Sequence, residues 1–175
     1  MTQKTTVGTA FGALLALLVA LSSGAPAQVC DYFNPELVVD VDWLEENIDH
    51  PELRVIDFAR TPEDYELGHI PCAAFVDKGA IAATINGIPK QLLPVAELDE
   101  LLERVGVSDG STVVIYDDAG GLWASRQLWA MEYMGHRDVR LLNGGRYAWI
   151  SGDRDVCVDP AAVARGDFTP LIQQQ

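Results

Sequence analysis

Hydrophobic positions along the chain follow two rhythms that alternate. Val41, Leu44 and Ile48 recur at i, i+3 and i+7, an amphipathic helix with Asp40 placed to cap its first turn. Leu98, Leu101, Leu102 and Val105 form a second helical stripe, opened by Pro94 at the first helical position and closed by Gly106. Ala124, Leu128 and Met131 mark a third helix, from Leu122 to Met134, which ends at Gly135. Pro62 starts a short helix ended by Gly68, and Gly144-Gly145 turns into another around Tyr147 and Trp149. Between the helices lie short extended runs: 37–39, 54–58, 73–76, 112–116 and 139–142. Thr112 to Tyr116 has no polar/apolar alternation, as expected of a central parallel strand covered on both faces. The stretch from Asp77 to Leu93, with Gly79, Gly87 and Pro89, reads as a loop. Strands alternating with helices predict one α/β domain over residues 37–158, with a central parallel five-stranded sheet and helices on both faces. Residues 28–36 read as an N-terminal arm, and 159–175 as a C-terminal tail or the start of an interdomain linker.

The first residues change the picture of where this domain works. Lys4 precedes an apolar run from Phe11 to Leu21, and Ala25-Pro26-Ala27 follows as a small-x-small cleavage signal. The run is shorter than the roughly 20 residues that span a bilayer, so residues 1–27 read as a secretory signal peptide, with an uncleaved anchor as the alternative. The expected location is periplasmic or secreted, with no membrane attachment once the signal is removed. Cys30 lacks the preceding triplet of a lipid-anchored protein. A formal net charge of −14 repels nucleic acid and anionic membranes, so any anion site must be built locally. There are three cysteines, Cys30, Cys72 and Cys157. In an oxidising compartment Cys30 and Cys157, near the two ends of the domain, are the expected disulfide; three free thiols are the alternative.

Candidate chemistry concentrates at VVIYDDAGGLWASRQLWAM, Val113 to Met131. A buried strand turns there into a helix, the junction where open α/β sheets place their sites. The turn holds Asp117, Asp118, Ala119, Gly120, Gly121 and Leu122, with no Ser, Cys, His or Lys to act as nucleophile. Upstream, DFARTPEDYELGHIPCAAF carries an acidic strand end, an arginine, an acidic-aromatic helix and a Gly-His-Ile-Pro turn; downstream, GHRDVRLLNGGRYAW carries a second motif. Together these resemble the rhodanese family of sulfurtransferases over nearly all of the chain after the signal. The resemblance implies a loop that curls over a helix N-terminus, with backbone N–H groups pointing inward. In active members a cysteine in that loop carries sulfane sulfur as a persulfide.

At the matching position this chain has Asp117. A carboxylate forms no persulfide. Asp117 and Asp118 also bring negative charge to the place that would receive an anion such as thiosulfate. Two charges about 4 Å apart at an effective dielectric of about 20 repel by roughly 4 kcal/mol. One aspartate is therefore expected to cap the following helix and fill the cradle from within. The resemblance is closest to the N-terminal domain of tandem rhodaneses, which commonly carries Tyr-Asp here. That implies a catalytic rhodanese domain as partner, in cis or in trans.

Other residues are weighed against plainer roles. Cys72 stands where the pattern has its second glycine; it is expected either as a small buried residue or as a displaced reactive thiol near the cradle. Arg126 and Arg60 could offer positive charge to a ligand, or pair with Asp57, Glu63 or the two loop aspartates. His69 and His136 read as caps or packing residues and His50 as an exposed turn. No metal site and no cofactor are expected. Trp123, Trp129 and Trp149 are expected in the core or at an interface, exposed tryptophan being the sign of docking. The C-x5-R frame of the phosphatases that share this fold is absent, its ends being Asp117 and Trp123. Three functions stay open: a catalytically silent domain that frames an active partner, a thiosulfate sulfurtransferase working through Cys72, and a stand-alone exported module that binds a ligand or partner.

Overall fold

A computed structural model describes residues 34–58 and 61–172. The expected signal peptide, Cys30 and Arg60 lie outside the described residues. In chain order the elements are β1 (Val38–Val39), α1 (Val41–Asn47), β2 (Leu53–Phe58), α2 (Pro62–Glu66), β3 (Ala73–Val76), β4 (Ala82–Ile85), β5 (Ile88–Leu92), α3 (Val95–Arg104), β6 (Thr112–Tyr116), α4 (Leu122–Met134), β7 (Val139–Leu142) and α5 (Gly145–Ser151). Five strands form one parallel sheet in the order β1-β7-β6-β2-β3. Leaving β2, the chain steps outward to β3; leaving β6, it steps the other way to β7. The β6/β2 boundary is therefore the switch point where an open α/β sheet forms a crevice at its carboxyl edge.

Alternation within the strands divides the core. Val113 and Ile115 of β6, with Ile56 and Phe58 of β2, face Leu98, Leu101 and Leu102 of α3 and Ala124, Leu128 and Met131 of α4. Val114 and Tyr116, with Leu53 and Val55, face Leu44 of α1 and Trp149 of α5. Each fully buried aliphatic side chain stabilises the fold by about 1.5–3 kcal/mol, which is why β6 carries apolar residues on both faces. Local signals set the helix ends. Asp40 Oδ1 accepts from Trp43 N at 2.8 Å, and Thr61 Oγ1 accepts from Asp64 N at 3.1 Å. Pro94 is not the first helical residue but the one before it, extended at φ −50, ψ 145, with α3 starting at Val95.

One expectation needs correction. The stretch Asp77 to Leu93 is not a loop throughout: β4 and β5 pair antiparallel as a hairpin apart from the main sheet. Asn86 and Gly87, at φ 52 and 79, make the tight turn, the two positive angles that an Asn-Gly pair favours. Residues 159–172, within the expected tail, pack on the domain. Phe168 is buried, Gly166 N donates to Glu103 O at 2.7 Å, Leu171 N donates to Met134 O at 2.9 Å, and Arg165 pairs with Glu100 and Glu103. These residues form a strap without regular structure, held along α3 and the end of α4.

Candidate functional site: a cradle filled by its own carboxylate

The last residue of β6 is Tyr116, and Asp117 begins the turn at the carboxyl edge of the sheet. Asp117 is 1% exposed. Gly120 and Gly121 follow at φ 69 and 87, two consecutive left-handed residues that only glycine adopts without strain. They bend the backbone so that its N–H groups converge. Asp117 Oδ1 accepts from Ala119 N at 3.0 Å and from Gly121 N at 2.8 Å. Oδ2 accepts from Trp123 N at 2.8 Å and from Ala124 N at 3.0 Å. Trp123 and Ala124 are the second and third residues of α4, whose N–H groups have no partner within the helix. Asp117 thus caps α4 from outside the capping position, which Gly121 occupies without a side chain.

The cradle is braced from behind. Arg146 N donates to the Asp117 carbonyl at 3.2 Å, and a Cβ on Gly145 would collide with that carbonyl, so the Gly144-Gly145 turn must lack a side chain there. Beside it, Tyr116 Oη donates to Asp57 Oδ2 at 2.7 Å and accepts from Ile70 N at 3.2 Å, all of it buried. That phenol ties the Gly-His-Ile-Pro turn to the switch point. Asp118 is half-buried, whereas Ala119 and Gly120 are exposed.

The other candidates are not brought to the cradle. Cys72 is exposed, not buried, and takes φ 63, which is why the pattern has a glycine at this point. It precedes β3 at the amino edge of the sheet. Ala73 lies level with Val55, and Val55 with Val114, three residues before Asp117. About 13 Å of strand rise therefore separates Cys72 from Asp117, and the expected approach to the cradle does not occur. Cys72 and Cys157 instead line a cavity of about 610 Å³ at that far edge, with His50, Arg54 and the strap residues 159–164. Both are free thiols. Arg126 faces neither the loop aspartates nor Glu63: its Nη2 donates to Lys90 O on the hairpin at 2.9 Å.

His69 is buried, stacks on Tyr65 with centroids 3.7 Å apart, and places Nδ1 2.9 Å from Tyr65 O. His136 is buried edge-on to Phe168, and burial pushes its imidazole below the usual range against smaller upward pulls from its backbone partners and from Asp138 and Asp109. Among the described residues no group of three or more His, Cys, Asp and Glu could hold a metal ion, and no helix is long and apolar enough to cross a membrane. Chemically, the site can hold an anion by backbone donors and helix dipole, and its own carboxylate is that anion. Sequence reasoning missed the Gly145 brace and the Tyr116–Asp57 pair; a phenol and a carboxylate at adjacent strand ends were the available signal.

The fold recurs among known proteins. The rhodanese-like domain model matches residues 40–151. The sulfur carrier protein TtuD of Thermus thermophilus is 33% identical over 137 residues, 78% of this chain and 47% of that protein. The thiosulfate sulfurtransferase of Corynebacterium glutamicum is 36% identical over 126 residues, 71% of this chain and 41% of that protein. The crystal structure of SseA from Escherichia coli, a 3-mercaptopyruvate sulfotransferase, is similar with a TM-score of 0.71 at 27% identity, covering 78% of this chain and 56% of that one. The chain spans about half the length of the curated relatives it matches.

Proposed function

The chain belongs to the rhodanese-like domain family, and from that premise we propose that it is a catalytically silent member, one that pairs with a catalytic rhodanese domain supplied in cis or in trans. The observation that carries this reading is the occupancy of the cradle. Four backbone N–H groups of the loop and of α4 bind the Asp117 carboxylate, so the donors that would steady a thiolate and its sulfur donor are already engaged. A carboxylate has no lone-pair sulfur to accept a sulfane atom. Asp118 beside it adds charge of the wrong sign for thiosulfate. Sulfur transfer through Cys72 is disfavoured because that thiol stands at the opposite edge of the sheet, away from the helix N-terminus and the switch point.

In this reading the domain keeps the shape of a sulfur site and contributes that shape to a partner. Residues 1–27 act as an export signal, so the pairing takes place in the periplasm or outside the cell; N-terminal sequencing of the mature chain, expected to begin at Gln28, checks this. The functional test is thiocyanate formation from thiosulfate and cyanide by the purified chain alone. The expected rate equals that of the buffer control. Turnover by the chain alone would overturn the reading, and its loss in Cys72→Ser would identify the thiol responsible.

A further inference from the structure

Helix α4 does more than close the cradle. Leu122, Arg126, Trp129 and Tyr133 sit at i, i+4, i+7 and i+11, which places them within an arc of about 60° and along about 16 Å of helix. This is the face turned away from the sheet, where a helix on one hydrophobic core normally shows polar residues. Here Leu122 is 63% exposed, Trp129 51% and Tyr133 49%, and the two aromatic rings stack with centroids 5.8 Å apart. Arg126 ties the stripe to the hairpin through Lys90 O, and the hairpin adds Ile85 and Ile88, exposed as well.

The rim of this face has a sign. Lys78 Nζ lies 5.7 Å from the Trp123 ring, Arg126 stands within the stripe with its Nη2 on Lys90 O, and the exposed Glu132 is the one carboxylate of α4 that borders it. Lys78 and Lys90 are both of the lysines among the described residues, and they gather here on a chain whose net charge is −14. An apolar centre with a cationic rim fits a partner face that is apolar and edged by carboxylates. It does not fit a second copy, because the rim would meet the same cations and the two acidic bodies would repel. The relatives carry about as many residues again as this chain matches.

We propose that the outer face of α4, with the β4–β5 hairpin, is the surface on which the catalytic rhodanese-like partner docks, meeting it with an apolar patch rimmed by acidic side chains. The proposal rests on the pairing argued above and adds its location. The stripe starts at Leu122, directly after the cradle loop, so a partner seated on it stands beside the carboxyl edge of the sheet.

The test uses the full chain in its own host, with a photo-crosslinking benzoylphenylalanine at Trp129 and, as control, at Tyr147 on α5, which is more exposed still at 63%. The expected result is a crosslink from position 129, and not from 147, to a polypeptide identified by mass spectrometry as carrying a rhodanese-like domain with a loop cysteine. Trp129→Glu combined with Tyr133→Glu, both on the exposed face and so compatible with folding, should then weaken binding of that purified polypeptide at least 100-fold. Lys90→Glu should weaken it about 3- to 10-fold at low salt, with the difference lost at high salt. Capture of the same partner from 147, unaffected by the Glu variants, overturns the location and leaves the pairing standing. Capture of a protein without such a domain, or no crosslink from either position, overturns both.

Discussion

Removing the Asp117 carboxylate leaves four N–H donors facing an empty cradle. A hydrogen bond to a charged acceptor contributes about 1.5–3 kcal/mol, but four cannot simply be summed, because water enters past the exposed Ala119 and Gly120 and rebinds some donors. Allowing water to recover most of the interaction, Asp117→Ala should destabilise the domain by about 2–4 kcal/mol. For a body of this size that is roughly a 6–16 °C fall in melting temperature. Asp117→Asn separates charge and geometry from bulk. It is almost isosteric, yet its NH2 group must point at two N–H donors, so it should fall within about 1 kcal/mol of the alanine variant. The emptied cradle should then take an oxyanion. Thiosulfate at ten times its dissociation constant would restore about 1.4 kcal/mol to Asp117→Ala and nothing to the parent chain. Thermal and urea unfolding of the three proteins, with and without thiosulfate, measures all of this. An alanine or asparagine variant as stable as the parent would refute the reasoning, as would equal stabilisation of parent and variant by the anion.

Asp117→Cys should place a thiol among the same donors and lower its pKa, seen as faster alkylation by iodoacetamide at neutral pH than for free cysteine; adding Asp118→Asn should accelerate it further. Tyr116→Phe removes the hydroxyl between Asp57 and Ile70 N and should cost about 1–3 kcal/mol in urea unfolding, with cooperativity unchanged. Gly145→Ala sets a methyl against the Asp117 carbonyl at φ 55 and should cost about 2 kcal/mol or more, far above an ordinary surface substitution. Burial holds the folded His136 below its unfolded value, so below about pH 6.5 the unfolded chain binds the additional proton. Stability should therefore be complete above that pH, decline as pH falls towards the depressed folded value, and level off beneath it. His136→Gln should remove this part of the pH profile of unfolding.

What the sequence disclosed depended on how much of each element is buried. β6, β2 and the α3 and α4 stripes carry apolar residues because two faces or one must be covered, and their bounds were legible to within a residue or so. The hairpin was not, although Asn86-Gly87 is a strong turn signal. Its strands lie mostly exposed, include Pro89 and a left-handed Lys90, and so show no alternation. The strap was hidden for a related reason: one buried Phe168 and a series of backbone bonds leave no period. At the site, the identity of the residue in the loop was readable, since Asp117 follows directly after a central strand. Its four donors were not, because they belong to the backbone, and backbone N–H groups have no letter in a sequence. Cys72 shows the converse: a glycine position filled by cysteine pointed to left-handed backbone and an outward turn more than to burial.

A bound anion that is also a link in the chain behaves unlike a solute. Dissolved sulfate or thiosulfate comes and goes with supply, whereas the tethered group sits at an effective concentration that begins around millimolar for a floppy tether and climbs as the tether stiffens. Gly145 and Arg146 stiffen this one. In the silent domain proposed above, metabolite levels therefore have no handle on the loop, which does not load, discharge or change outline with the sulfur economy around it. The domain meets its surroundings with one permanent contour.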